Sequence, residues 1–322
     1  MRVIGLAVVL AIGLLGAPLA VAAQQGRVPV IGVIRNGSKP INDVFASRFG
    51  RGMQALGWED GRNIRYIFMW ADGRDDRFPA LAADLVARPV DVIIVAGDPA
   101  IRAVQRATST IPIVGMADDM VGSAFAASMA RPGGNITGVS MLAGELDVKR
   151  LALLHELVPQ ARRIGVLADP TTVPTVPEVE KAARDLGIDV VTRPAKNREE
   201  IGRALDTMIA ARVGAVNVLA SPVLNLHRKF IIDRVRQARL PAIYQWPESA
   251  RDGGLVSYGP GAALAYEQMA RFVDKILKGV KPADLPVEQP TTFELVINLK
   301  TAKALELTIP PSVLGRADQV IE

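Results

Sequence analysis

Short apolar segments alternate with longer amphipathic segments along most of this chain, and this alternation restricts the possible folds more than any other feature of the sequence. Residues 90–97 (VDVIIVAG) form an almost continuous apolar run, which is typical of a strand covered on both faces of a sheet. Phe78, Leu81 and Leu85, which precede it, fall at helical spacing. Because strands joined by helices form right-handed crossovers, the alternation predicts mainly parallel sheets with helices packed on them.

The alternation runs twice, from residue 28 to 117 and again from residue 163 to 259. Between the two runs, residues 131–142 are rich in turn-forming residues. We therefore expect an α/β fold of two doubly wound, Rossmann-like lobes. The N-terminal lobe is predicted over residues 27–140 with part of the segment after about residue 258, and the C-terminal lobe over residues 145–257 with part of residues 290–322. A last strand at residues 293–299 rejoins one lobe, and the pattern does not indicate which.

Residues 1–23 form a separate unit that predicts a secretory signal peptide. Arg2 supplies the positive start, an apolar run follows, and Ala20 and Ala22 supply the small residues that a signal peptidase requires. The alternative is a retained membrane anchor, but the apolar run is short for a span and is broken by glycines and Pro18. The chain has no cysteine, which argues against a lipid anchor and against disulfides. We expect a periplasmic protein that is not a lipoprotein.

The sequence contains no recognisable catalytic motif. It has neither a G-x-S-x-G elbow nor a phosphate-binding Walker loop. Its two histidines, His155 and His227, stand apart from each other, and a Cys/His metal site is impossible without cysteine. The net charge is +5 and the basic residues are scattered, which does not fit a nucleic-acid surface. We therefore expect no enzyme activity, no metal, no cofactor and no nucleic-acid partner, while a glycosidase-type carboxylate pair, distant in sequence, stays open.

The candidate ligand-binding residues come from the turns that follow the predicted strands, because ligands of open α/β sheets bind beyond the carboxyl ends of the strands. These residues are Asn36, Ser38, Gly97, Asp98, Pro99, Ala100, Asp119, Asp169, Ser221, Tyr244, Trp246 and Tyr258.

Several of these turns precede a helix, whose free N–H groups could hold a carboxylate. Asp119 could accept hydrogen bonds from an ammonium or hydroxyl group, and Tyr244, Trp246 and Tyr258 could stack on an apolar or aromatic group. Each residue also has an ordinary structural alternative. Serine and aspartate at such turns often cap helices, Trp246 could belong to the core, and Pro99 could be the first residue of its helix.

Long collinear segments resemble the soluble substrate-binding proteins of ABC-type uptake systems, a family with tryptophan- and tyrosine-binding members. The matching segments are residues 80–100, 111–125, 131–140, 149–170, 240–259 and 276–322. The resemblance implies a type I periplasmic-binding fold: two lobes joined by a hinge of several strands, with a small-molecule ligand in the cleft. It also implies that the protein hands its ligand to a membrane permease driven by an ATPase. We expect the protein to be a monomer.

The family's ligand loops map onto residues 97–100, Asp119, Asp169-Pro170, Ser221 and residues 244–246. Many members have Asp-Pro-Val where this chain has Asp119-Met120-Val121, and Asn-Pro where it has Asp169-Pro170. Amino-acid-binding members tend to place a carboxylate or an amide near residues 220–222, where this chain has neither. An aromatic or carboxylated metabolite therefore fits the resemblance as well as an amino acid does.

The resulting hypothesis is a periplasmic binding protein that captures a small solute by hinge closure and delivers it to an ABC permease. One alternative is a ligand-binding sensory subunit that docks on a membrane receptor, which would share the same fold and site. The other is an exported α/β hydrolase, for which no nucleophile and base pair is visible in the sequence.

Overall fold

The structure is a computed structural model that describes residues 27–39 and 44–322. The predicted signal peptide, residues 1–23, lies outside the described residues. Within the described part of the chain, none of the helices has the length and apolar character needed to cross a membrane.

The first lobe is built on a five-stranded parallel sheet with the strand order β2-β1-β3-β4-β5. The strands are β1 (Val30–Arg35), β2 (Arg65–Trp70), β3 (Val92–Ala96), β4 (Ile113–Ala117) and β5 (Ile136–Ser140). The crossover helices are α1 (Val44–Ala55), α2 (Phe78–Val86) and α3 (Asp98–Ala107). In the register of the sheet, Ile34 of β1 lies opposite Met69 of β2 and Val95 of β3.

The central strand β3 shows why this sheet needs cover on both faces. Ile93 packs with the residues of α2 and α3 on one side, while Ile94 packs with Met53 of α1 on the other. Both isoleucines are almost completely buried, and burial of a side chain of this size stabilises a fold by roughly 1.5–3 kcal/mol. The continuous apolar run in the sequence is therefore explained by two cores, one on each face of the sheet.

The second lobe repeats the arrangement. Its strands in this part of the chain are β6 (Arg163–Ala168), β7 (Asp189–Pro194), β8 (Ala215–Val218), β9 (Ala242–Tyr244) and β10 (Val256–Gly259). Its helices are α4 (Ala143–Leu157), α5 (Val176–Asp185), α6 (Arg198–Ala210), α7 (Pro222–Leu226), α8 (Arg228–Gln237) and α9 (Pro247–Arg251).

The chain crosses between the lobes three times. It first passes from β5 into α4 at residues 141–142, and it returns after β10 to form α10 (Ala262–Leu277), whose Met269 and Phe272 pack with Ile31 against the first sheet. Residues 287–288 then pair with the edge of β5, where Glu288 N donates to Gly138 O at 2.9 Å. The third crossing leads into β11 (Glu294–Asn298), α11 (Leu299–Ala304), α12 (Pro311–Leu314) and β12 (Gln319–Ile321).

The last two strands complete a seven-stranded sheet with the order β12-β11-β10-β9-β8-β6-β7. Strand β11 runs antiparallel to β10, and the other neighbouring strands are parallel. The C-terminal strands therefore belong to the second lobe, whereas α10 belongs to the first. The predicted α/β fold with two doubly wound lobes is confirmed.

The structure differs from the sequence pattern at residues 131–142, which contain β5 rather than turns alone. Gly138 is the reason that a strand fits there. A Cβ atom at this position would lie 1.8 Å from the carbonyl oxygen of Gly115 in β4, so only glycine allows the two strands to approach.

Candidate functional site

A cavity of about 350 Å³ lies between the carboxyl-terminal edges of the two sheets. Its first-lobe wall comes from the segments that follow β1, β3 and β4, together with the end of β2. Its second-lobe wall comes from α7, the start of α8, the segment after β9 and α9. Both lobes therefore contribute to one cavity, and its size lies within the usual range of small-molecule sites, roughly 300–1,000 Å³.

Three aromatic side chains form much of the apolar wall. The ring of Trp70 is stacked on Phe68, with ring centroids 5.7 Å apart and an angle of 12° between the planes. Trp246 follows β9 of the second lobe, yet it packs against the apolar core of the first lobe, as does Tyr266 of α10. Met116 also lines the cavity. This wall could accept a flat apolar or aromatic group.

The charged residues of the cavity are Arg35, Asp118, Arg228 and Glu248. Asp118 follows β4 directly, and desolvation by burial raises its pKa well above the usual range, with further raising contributions from neighbouring carboxylates. The guanidinium of Arg228 is already engaged, because its Nε lies 2.8 Å from Oδ2 of Asp252. The cavity thus contains both signs of charge beside its aromatic wall.

Two hydrogen-bond acceptors in the cavity wall are not used by the protein. Asn36 Oδ1 and Glu248 Oε2 are shielded from solvent and have no hydrogen-bond partner among the residues that the structure describes. A shielded acceptor without a donor costs free energy.

Some of the residues that the sequence singles out meet at this cavity. They are Asn36, Ser38, Gly97, Ser221 and Trp246. Ser221 also caps α7, since its Oγ accepts hydrogen bonds from the N–H groups of Val223 and Leu224, and it donates one to Asp169. The N-terminal N–H groups of this short helix are therefore satisfied within the protein.

Other predicted residues lie beside the cavity. Pro99, Ala100 and Asp169 line a small crevice between the lobes, next to Gly97. The carboxylate of Asp98 accepts a hydrogen bond of 2.6 Å from Ser123 Oγ. The carboxylate of the exposed Asp119 accepts hydrogen bonds from the N–H groups of Val121 and Gly122, at 3.0 and 2.9 Å. Asp119 does not line the cavity.

The two predicted tyrosines, Tyr244 and Tyr258, belong to the second lobe and do not line the cavity. Tyr244 is 2% exposed and packs in the core beneath α8, and its hydroxyl has no partner among the described residues. Tyr258 packs against the other core of the same lobe, and its carbonyl oxygen accepts a hydrogen bond from Arg150.

Sequence reasoning did not single out Trp70, Asp118, Arg228, Glu248 and Tyr266, all of which line the cavity. Asp118 had a usable indication, since it directly follows an apolar strand and stands beside Asp119. Tyr266 had none, because its place depends on the return of α10 to the first lobe. Within the described residues, no group of three or more histidine or carboxylate side chains is placed to hold a metal ion.

Comparison with known proteins supports a single family. A family model described as ABC transporter substrate binding protein matches residues 23–321. A tyrosine-binding protein from Clostridioides difficile (strain R20291) is 27% identical over 288 residues, which cover 86% of this chain and 81% of that protein.

Two solved structures are similar over nearly the whole chain. One is an ABC domain from Streptococcus pneumoniae in complex with L-Trp, with 27% identity, a TM-score of 0.83, and coverage of 92% of this chain and 100% of that one. The other is a conserved domain protein from Vibrio cholerae, with 26% identity, a TM-score of 0.84, and coverage of 91% and 100%. The predicted periplasmic-binding fold is confirmed by these likenesses.

Proposed function

This chain belongs to the ABC transporter substrate-binding protein family, and on that premise we propose that it captures a small solute between its lobes and delivers it to the permease of an uptake system. The observation that carries the proposal is the cavity of about 350 Å³, to which both lobes contribute aromatic and charged side chains. A molecule held there touches both lobes at once. Its binding is therefore coupled to the angle between them.

The cavity chemistry favours an aromatic solute that carries hydrogen-bond donors. Trp70, Trp246 and Tyr266 offer ring faces, and the carboxyl groups of Asp118 and Glu248 offer hydrogen-bond acceptors. Relatives named for tyrosine binding or solved with L-Trp support the same class. We propose an aromatic amino acid first. An aromatic or carboxylated metabolite is the second choice, because the cavity also contains arginine side chains.

The mechanism that we propose is closure of the lobes on the solute. Shifting the closed population from 1:99 to 99:1 requires about 5.5 kcal/mol of preference for the closed state. Hydrogen bonds to charged groups contribute about 1.5–3 kcal/mol each, and a stacked ring adds about 0.5–1.5 kcal/mol. Two such hydrogen bonds and one ring contact could supply this preference. The permease would then recognise the closed shape across both lobes, and the solute would leave chemically unchanged.

The cellular setting follows from the same premise. We propose a periplasmic protein that is exported by its signal peptide and acts as a monomer, with a permease and its ATPase as partners. The cleft between the lobes suits a monomer, because one chain supplies both walls of the cavity.

The proposal is tested with the exported protein and three probes: L-tryptophan, L-tyrosine and indole-3-propionate, which lacks the amino group. At a concentration of 100 times Kd, a bound probe adds about 2.7 kcal/mol of stability, which raises Tm by roughly 5 °C. Mass spectrometry of the recovered probe should show no chemical change. No rise in Tm across a wider solute panel, or a recovered probe that has been converted, would refute the proposed binder.

Uptake tests the transport step separately. Cells that lack the gene should take up labelled probe more slowly, and the gene on a plasmid should restore the rate. Unchanged uptake together with intact binding would favour the sensory role instead.

A further inference from the structure

Each of three neighbouring strands in the first lobe is followed by a glycine at the edge of the cleft. Gly37 follows β1, Gly73 follows β2 and Gly97 follows β3. The short helix α7 of the second lobe lies directly opposite these glycines, and two of its side chains reach them. We call the three glycines the glycine cradle.

The helix α7 has two apolar faces with different partners. Val223 and Leu224 are 6% and 1% exposed, and Leu224 belongs to the core of the second lobe. Pro222 and Leu226, four residues apart, share the other face of the helix, and Leu226 is 42% exposed. The second face therefore adds little to the core of its own lobe and is presented to the first lobe.

The space between the cradle and α7 is too small for a side chain at two of the three glycines. A Cβ atom at Gly37 would lie 3.2 Å from Cδ1 of Leu226, and one at Gly73 would lie 3.5 Å from Cδ2 of the same leucine. A Cβ atom at Gly97 would lie 3.1 Å from Cγ of Pro222. Side chains in the cradle would thus occupy the space that α7 needs when the lobes are together.

We propose that α7 is the latch of the closed cleft, with Leu226 as the positioning residue that seats in the glycine cradle. The proposal rests on the proposed function and adds a contact between the lobes that favours closure even without the solute. Because the two partners belong to different lobes, their apolar contact exists only when the lobes are closed. The part of the Leu226 side chain that the cradle covers is therefore removed from water only on closure, which favours the closed state and slows release of the solute.

The chain offers a direct reporter of closure. The ideal Cβ position at Gly97 lies 3.9 Å from Cβ of Pro222, which matches the Cβ–Cβ separation of a disulfide, about 3.8 Å. Pro222→Cys also removes the ring carbon Cγ that a side chain at Gly97 would meet. Gly97 has a φ of +90°, so Gly97→Cys is strained in the open and the closed state alike, and every comparison is made within the reporter chain, where only the contacts of Leu226 vary. The natural sequence has no cysteine, so the pair Gly97→Cys and Pro222→Cys can form only one disulfide within a molecule. The rate of its formation in oxidised glutathione, read on non-reducing gels, reports how often the lobes close.

The latch variants are made in this reporter chain. We expect Leu226→Ala to slow disulfide formation about threefold, as loss of part of one apolar contact would. Leu186→Ala is the matched control, because Leu186 is a 37% exposed leucine on the second lobe outside the cavity wall, and its rate should equal that of the reporter. Equal rates for both leucine variants would overturn the latch.

A pair of variants separates the latch from a simple solute contact, since Leu226 also lines the cavity. Gly37→Leu should slow disulfide formation by about tenfold, and adding Leu226→Ala should restore most of the rate, because the second change vacates the space that the first one fills. If Leu226 contacted only the solute, Leu226→Ala would not restore the rate of Gly37→Leu in the absence of solute. Losses of rate that simply add in the double variant would therefore refute the latch.

The same reporter distinguishes failure of the latch from failure of the proposed function. L-Tryptophan should accelerate disulfide formation in the reporter chain. If no solute raises the Tm of the natural protein, the proposed function fails while the two leucine variants still decide the latch. If tryptophan accelerates disulfide formation and Leu226→Ala forms the disulfide at the same rate as Leu186→Ala, only the latch proposal fails.

Discussion

Replacing Arg150 with methionine should strongly destabilise the second lobe. Arg150 and Asp147 of α4 are both completely buried, and their side chains are 2.5 Å apart. The same guanidinium donates to the carbonyl oxygen of Tyr258 at 2.9 Å, which ties α4 to the end of β10. Without the arginine, the carboxylate of Asp147 remains buried with a single hydrogen-bond donor among the described residues, the N–H of Ala220 at 3.1 Å.

The size of the effect follows from that unpaired charge. Breaking a buried ion pair by removing one partner costs about 3–5 kcal/mol, which corresponds to a decrease in Tm of roughly 10 °C. The matched control is Arg203→Met, because Arg203 and Glu199 form an exposed pair at 2.8 Å, and such helix pairs contribute only about 0.3–0.5 kcal/mol. Thermal and urea unfolding followed by circular dichroism measures both variants.

The loss should also depend on pH. Desolvation already raises the pKa of Asp147, and Arg150 holds it down, so the variant raises this pKa further in the folded state alone. Below the pKa of the unfolded chain, about 3.9, the carboxyl is neutral in both states and the added loss is small. As pH rises, the unfolded chain releases its proton first, so the loss grows. A deficit as small as that of Arg203→Met, or one that is constant across pH, would refute this reasoning.

Four further outcomes are expected for binding and stability. Asp118→Asn should weaken L-tryptophan binding about tenfold by calorimetry, since a charge-assisted hydrogen bond contributes about 1.5–3 kcal/mol. Asp119→Asn should weaken binding less, because the carboxylate of Asp119 caps a turn. A larger loss for Asp119→Asn than for Asp118→Asn would identify Asp119 as the contact. Affinity for L-tryptophan should fall as pH is lowered from 8, because the raised pKa of Asp118 leaves that carboxyl protonated at higher pH than usual; a flat profile would contradict its role. Trp246→Ala should lower affinity about fivefold through loss of one stacking surface, and unchanged affinity in a titration would remove it from the site. Tyr244→Phe should leave urea stability unchanged or raise it by about 1 kcal/mol, since its buried hydroxyl has no described partner, and a clear loss of stability would show that the hydroxyl is bonded.

The elements with two buried faces were the easiest to predict. The apolar run at residues 90–97 contains β3, and the helical spacing around Leu81 and Leu85 corresponds to α2. Both patterns are local, since each residue's environment follows from its neighbours in the chain. Strand β5 was not predicted because Gly138 suggests a turn. In the structure, glycine at this position leaves room for the carbonyl group of Gly115 in the neighbouring strand β4. This close approach can be seen only in the packed structure.

In the candidate site, too, the residues near strand ends could be predicted from local sequence, whereas those that depend on packing could not. The rule that ligands bind beyond strand ends placed Asn36, Gly97 and Ser221 at the cavity, because strand ends of a parallel sheet share one edge. The choice between Asp118 and Asp119 depends on how the backbone turns after β4, which the residue types do not determine. Tyr266 reaches the cavity only because α10 crosses back to the first lobe.

The interleaved course of the chain has a consequence for its synthesis. The first lobe needs α10, which ends at residue 277, and the second sheet needs β12, which ends at residue 321. A nascent polypeptide emerging from the ribosome therefore cannot complete either half until most of it has been made.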